Sequence, residues 1–277
     1  MSRPRGRGGG GRNRQPLPRN VQVSKKLSWL LRHGAESEGL SLDSEGYINL
    51  SEVLSNRNLR SLKVSLEEVQ EIVRDNDKQR FTLLPITSEP IDANGDEGSA
   101  SQPPIPSDEA KDYKIRANQG HSLKIESEGL LQPITIADLP LTCIHGTTHS
   151  AWSAIVASRG LKPMGRNHIH FASGLPAGFT SIANQDADAV AAPVISGMRK
   201  SSTVLICVDV AKAMEAGVKF WRSDNGVLLS EGNEEGLVRI EFFQRVEDRT
   251  GAGVLVEIGE VVKEAPKQWA GKGKGKG

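Results

Sequence analysis

The chain has 277 residues, of which 37% are apolar, enough to bury the core of one large domain or of two small lobes. Its net charge of +1 averages a basic head, six Arg and no acid in residues 1–20, with seven acids and one Lys between Ser88 and Asp112. Cys143 and Cys207 both sit in apolar runs, which excludes a disulfide framework, and the absence of a long apolar run or an N-terminal hydrophobic segment excludes a membrane helix and a secretory signal. The expectation is a soluble, intracellular protein, cytoplasmic or nuclear, in a reducing compartment.

Residues 1–20 and the Lys/Gly tail at 263–277 carry too much Gly, Arg, Lys and Pro to bury a core, and are expected to be disordered. Such arms either hold phosphate backbones or merely solubilise. The first ordered segment takes Ser24 as its N-cap, places Leu27, Leu30 and Leu31 at helical spacing, and stops at Gly34. Gly46–Leu50 reads as a short extended piece, and Ser51 caps a second helix. Ser65-Leu66-Glu67-Glu68 is the capping box of a third, with Leu66, Val69, Ile72 and Val73 as its apolar stripe.

Arg80–Leu84 and Tyr113–Ala117 are strand candidates around a Pro/Ser/Gly-rich acidic stretch at about 86–112, expected to be a disordered hairpin tip. Three helices with a two-stranded wing make a winged-helix pattern over residues 21–132. From 133 to 262 the pattern changes to a compact, strand-dominated mixed lobe, so the class is α+β. Its expected strands are Leu141–His145, Asn167–Ala172, Ser202–Asp209, Phe220–Trp221, Gly226–Leu229 and Leu237–Phe243. Its expected helices run from Ser150 to about Ser158 and around Ala211–Ala216, with Asp224-Asn225-Gly226 as a turn. Neither a dinucleotide Gly-x-Gly-x-x-Gly nor a P-loop is present.

The polar groups able to do chemistry are mostly donors. Arg32-His33 joins a guanidinium that clamps phosphate to an imidazole titrating near neutrality, although a helix-end surface pair would give the same string. Lys78 and Arg80 enter the first wing strand, while Arg116, Gln119, His121 and Ser122 follow or end the second, so the hairpin can gather them toward a polyanion. A solvated basic face is the bland alternative. His145-Gly146-Thr147 closes a strand with hydrogen-bonding groups beside a glycine that permits close approach. Arg166-Asn167-His168-Ile169-His170 alternates, putting His168 and His170 on one strand face, with no Cys, Asp or Glu at metal-ligand spacing. No Gly-x-Ser-x-Gly supports a serine hydrolase.

Taken in order, Ser24–Ser28 with Leu31-Arg32-His33, Gly46-Tyr47, Lys78-Gln79-Arg80-Phe81, Ile115-Arg116-Ala117 with Gln119-Gly120-His121-Ser122, His145-Gly146-Thr147 and Arg166–His170 resemble the RNA 2′-phosphotransferase family. The resemblance spans about residues 23–260, and Phe220-Trp221-x-Ser223-x-Asn225-Gly226-Val227-Leu228-Leu229 extends it. It implies a winged-helix lobe joined to an ADP-ribosyltransferase-like lobe, with 2′-phosphorylated RNA and NAD as partners meeting between them and no metal. It also implies a catalytic set Arg32, His33, Arg80 and Arg166. His145, Gly146, Thr147, His170 and Asn225 would lie on the NAD side.

The implied reaction removes the splice-junction 2′-phosphate, in eukaryotes from ligated pre-tRNA. The phosphate attacks the nicotinamide ribose, and a ribose hydroxyl then attacks the phosphorus, releasing ADP-ribose 1″,2″-cyclic phosphate. The Arg/Gly head, Lys/Gly tail and acidic insert depart from a minimal member, and the insert is expected to point away from the cleft. A mono-ADP-ribosyltransferase using the same pocket and a non-catalytic RNA-binding module are the competing readings. Composition favours a monomer.

Overall fold

The computed structural model describes residues 16–86, 109–123, 127–176, 178, 179, 181 and 197–269. Most of the Arg/Gly head, the bulk of the acidic insert and the end of the Lys/Gly tail lie outside these residues. The fold mixes helices and antiparallel sheets, as an α+β chain does.

The first helix, α1 (Arg19–Trp29), starts five residues before the expected Ser24 cap, behind Pro18, which makes no side-chain cap. Proline is well placed there because the first-turn N–H groups have no intrahelical partner. Nor does the helix stop at Gly34. It widens into a π-helical turn, Leu30–Gly34, then tightens into a 3₁₀ turn, Glu36–Glu38, and ends where Gly39 takes φ 75°. Gly34 makes room for the Trp29 ring, whose tip a Cβ there would approach to 2.6 Å and displace.

After β1 (Ile48–Asn49), α2 (Leu50–Ser55) is capped by Asn49, whose Oδ1 accepts from both the N–H and the hydroxyl of Ser51. The expected cap is thus off by two residues, because both side chains suit the role and the amide came first. The short α3 (Arg57–Arg60) was not anticipated, whereas α4 (Leu66–Arg74) begins at Ser65 as expected. Ser65 accepts from Glu68 N, but the Glu68 carboxylate turns to Arg19 at 2.8 Å instead of back to the cap.

Strands β2 (Phe81–Pro85) and β3 (Tyr113–Ala117) pair antiparallel from Phe81↔Ala117 to Pro85↔Tyr113, and β1 adds on the far side of β3. These four helices and this sheet enclose one apolar core, built from Val23, Leu27, Leu30, Leu50, Leu59, Val69, Phe81 and Ile115 among others.

A second core begins beyond α5 (Ser127–Leu130) and β4 (Gln132–Pro133). It is built from β5 (Ile144–Thr147), α6 (His149–Ala157), β6 (Gly160–Leu161), β7 (Ile169–Phe171), β8 (Val204–Val208), α7 (Val210–Glu215), β9 (Lys219–Arg222), β10 (Leu228–Gly232), β11 (Val238–Arg239), β12 (Phe243–Asp248), β13 (Gly253–Glu257) and β14 (Glu260–Val261). Two sheets, ordered β4-β9-β10-β7 and β14-β13-β12-β8-β5, carry most of it. The expected Leu237–Phe243 strand is broken by a 3₁₀ turn at Ile240–Phe242, and the β13–β14 hairpin was missed. Residues 263–269, assigned to the tail, instead return Trp269 to this core, stacked on His149 with ring centroids 3.8 Å apart.

Candidate active site

The segment after β3, Asn118–Leu123, is the spine of the site. On one side Ser122 N and Leu123 N donate to the Arg32 carbonyl at 3.0 and 3.4 Å. On the other, Asn167 N donates to the His121 carbonyl at 3.0 Å and Asn167 Nδ2 to Leu123 O at 2.6 Å. These bonds bring the π-helical turn of the first core and the loop ahead of β7 in the second against a common strip of backbone.

Two cavities flank that strip. One, about 680 Å³, is lined by Ser24, Lys25, Ser28, Arg32, Lys78 and Arg80, together with the carboxylates of Glu68, Glu71, Asp75 and Asp77. The second, about 700 Å³, has His33, His145, Gly146, Thr147, Arg166 and His170 in its wall. Both volumes fall in the range of about 300–1,000 Å³ usual for ligand sites. Consecutive residues of one π turn therefore face different cavities, Arg32 the first and His33 the second.

Arg32 is the most constrained group. Its Nε and Nη2 are buried with no hydrogen-bond partner, and its side chain lies over Gly120, with Nη1 3.6 Å from where a Cβ would be. Burial, and then the charges of Arg80 and Arg166, lower its pKa to about 10. Arg80 and Arg166 are themselves depressed, chiefly by burial, with Arg199 adding to the effect on Arg166. A cluster of mutually repelling cations with spare donors is a site prepared for an anion.

The imidazoles are held neutral. Burial, followed by Arg32 and Arg166, lowers His33, whose Nδ1 lies 2.9 Å from Ser122 Oγ. His121 and His170 are each pushed to about 3, mainly by burial. His170 Nδ1 donates to the His168 carbonyl at 2.9 Å, so its Nε2 can only accept. The Gln119 amide 2.8 Å away must then turn its NH₂ toward that nitrogen. His145 Nδ1 donates to His170 O at 2.9 Å, tying β5 to β7.

Gly146 serves packing as well as access. A Cβ there would overlap Met198 Cγ and lie 2.6 Å from Ser202 Oγ.

Two expected site residues point elsewhere. Arg116, placed on the RNA side by sequence, is 8% exposed. It donates to Glu45 O at 2.9 Å and to Asp224 Oδ2 at 2.6 Å, and stacks over Tyr47. Asn225, placed on the NAD side, donates to Lys78 O at 2.9 Å. Both therefore join the two cores. Sequence reading overlooked Arg199 and Lys200: Arg199 lines the second cavity and Lys200 acts on Lys78. The basic, hydroxyl-rich run Arg199–Ser202 ahead of β8 was the available signal.

A profile of the RNA 2′-phosphotransferase, Tpt1/KptA family matches residues 18–232. The chain belongs to this family. It is 37% identical over 245 residues to tRNA 2′-phosphotransferase 1 of Danio rerio, covering 88% of this chain and 92% of that one. It is 36% identical over 232 residues to tRNA 2′-phosphotransferase of Saccharomyces cerevisiae, covering 82% and 84%. A probable RNA 2′-phosphotransferase of Rhizobium leguminosarum is 31% identical over 211 residues, covering 76% and 89%. As a member of the Tpt1/KptA family the chain is a transferase enzyme, and every side chain of the two cavities lies inside the matched segment. The Trp269–His149 stack brings in a residue from beyond it.

Proposed function

We propose that the enzyme removes the splice-junction 2′-phosphate from ligated tRNA and transfers it to NAD, giving ADP-ribose 1″,2″-cyclic phosphate, nicotinamide and a 2′-hydroxyl. In this reading residues 21–132 act as a winged-helix RNA lobe and 133–262 as an ADP-ribosyltransferase-like NAD lobe. The protein works as an intracellular monomer in tRNA splicing and RNA repair. The observation that carries the reading is Arg32, with buried unpaired donors, in the wall of the first cavity and in the field of Arg80 and Arg166. RNA would enter by the first cavity, whose wall includes Lys25, Lys78 and Arg80.

NAD suits the second cavity on chemical grounds. Its wall offers hydroxyl and amide partners, neutral imidazoles and the apolar faces of Ala151, Ala154 and Ile155, with no carboxylate among its lining residues to repel a pyrophosphate. When bound, NAD supplies the electrophilic ribose carbon and nicotinamide as leaving group. His145, Gly146, Thr147 and His170 would hold it.

The chain's own contribution is charge and proton management. Arg32, Arg80 and Arg166 hold the 2′-phosphate and offset its developing charge, each contributing about 2–4 kcal/mol to the barrier by analogy with oxyanion donors. His33, in the tautomer that donates Nδ1–H to Ser122 Oγ 2.9 Å away, would keep Nε2 able to take a hydroxyl proton. Because burial and two guanidinium groups depress His33, the acid limb of kcat/KM should fall below the ordinary histidine range. Arg166→Ala should move that limb upward, and a limb that does not move would remove His33 from this role.

Nicotinamide release from NAD that depends on a 2′-phosphorylated RNA, with the cyclic phosphate as co-product, is the expected result. ADP-ribose retained on the RNA by the wild-type enzyme would instead make it a mono-ADP-ribosyltransferase.

A further inference from the structure

Three asparagines from three separate parts of the fold converge on the three residues that end in Arg80. Asn76, just past α4, accepts through Oδ1 from Lys78 N and from Arg80 Nη1, each at 3.0 Å. Asn118, just past β3, donates from Nδ2 to Gln79 O at 2.8 Å and from its backbone N to Arg80 O at 2.9 Å. Asn225, in the turn between β9 and β10, donates to Lys78 O at 2.9 Å. Two of the three are themselves fixed, Asn118 Oδ1 by Thr82 Oγ1 at 2.6 Å and Asn225 Oδ1 by Ser223 Oγ at 2.8 Å.

Between these bonds Gln79 adopts φ 42°, a left-handed conformation that a residue with a Cβ avoids. Strain of this kind, about 1–3 kcal/mol, persists only where the surroundings over-determine the backbone. A turn that merely linked α4 to β2 could relax it with a glycine. What the bonds preserve is the aim of the Arg80 side chain, which Asn76 grips directly. Asn225 reaches across from the β9–β10 turn, in the lobe whose cavity is lined by Arg166 and His145.

We infer that Asn225, with Asn76 and Asn118, is a positioning residue for Arg80, so that the lobe holding NAD sets the direction of a phosphate-binding arginine in the other lobe. The inference rests on the reading of Arg80 given under the proposed function. It replaces the expectation that Asn225 touches NAD.

A double-mutant cycle on single-turnover removal of the 2′-phosphate tests it. Asn225→Ala should lower the rate at saturating substrates by about ten- to a hundredfold, the scale of a small misplacement of a catalytic group, and leave KM for NAD unchanged. Asn225→Asp keeps the shape but cannot donate, and should be as slow. In an Arg80→Ala background, Asn225→Ala should cost no more than about twofold, because the group it aims is gone. Asn76→Ala, which leaves the contact between the cores alone, should couple to Arg80 in the same way and keeps the test open if Asn225→Ala does not fold. Multiplicative losses in both cycles, full activity of Asn225→Asp, or a raised KM for NAD in place of a lowered rate would each overturn the inference while leaving an active wild type intact. A wild type inert toward 2′-phosphorylated RNA with NAD would sink the functional reading and this inference with it.

Discussion

Arg32→Met is expected to make the protein more stable and nearly inactive. The guanidinium is buried with Nε and Nη2 unpaired, so folding strips water from it and returns no partner. A fall in pKa from the ordinary guanidinium value to about 10 corresponds to on the order of 3 kcal/mol of disfavour for the charged form in the folded state. Because the folded value is the lower one, that penalty is present at every pH below about 10 and is relieved only above it. An apolar side chain of similar length removes the penalty at pH 7. Imperfect packing returns part of the gain, leaving about 1–2 kcal/mol, or several degrees in Tm for a chain of this size. Turnover on 2′-phosphorylated RNA should fall by about 10²–10³-fold, since the lost donors are those that the proposed function assigns to the phosphate. Calorimetry and single-turnover kinetics check the two halves separately. A lower Tm would mean that Arg32 has a partner in solution, and retained turnover would remove it from the catalytic set.

The second large effect belongs to Arg116, and it should appear in stability, with RNA affinity little changed. Its guanidinium joins Glu45 O, Asp224 and the Tyr47 face, linking β3 to the β9–β10 turn. Truncation to Ala strands an acceptor and an acid. With the Asp224 side chain 37% exposed and able to rehydrate, the expected loss is about 2–3 kcal/mol, less than for a fully buried pair. Chemical denaturation measures it. If Arg116 touched RNA phosphate, as its place in the sequence suggested, its loss would reduce the salt dependence of RNA binding by about one unit of slope. The structure predicts an unchanged slope.

Elements with a strong local pattern were legible in the sequence. The α4 stripe and its Ser65 cap, the β2–β3 pairing and the β9–β10 turn follow from periodicity and turn chemistry and stand close to where they were expected. The failures share a cause. Ser24, Ser51 and Gly34 are residue types suited to caps and stops, but Pro18, Asn49 and Gly39 lie at the helix boundaries, and local propensity cannot rank competing candidates a few residues apart. The site divides in the same way. Family strings brought Arg32, His33, Arg80 and Arg166 to notice, and these gather around one strip of backbone. Arg116 and Asn225 sit in equally suggestive strings, yet their side chains bridge the two cores. Which surface a polar group faces depends on a partner about a hundred residues away, such as Asp224 for Arg116, and no local pattern encodes that.

The π turn at Leu30–Gly34 closes its hydrogen bonds one residue later than an α-helix does, so it holds one residue more than a regular ladder would. Removing any single amino acid between positions 30 and 34 would let the ladder close normally, leaving the upstream Val23–Leu27 stripe in place and re-aiming the side chains of the turn itself. Arg32 and His33 could not then both keep the cavities they face. Helix length at this point is therefore a requirement of the proposed site, and laboratory libraries that vary the identity of Leu30 and Leu31 among apolar residues should yield survivors where those that vary spacing yield none.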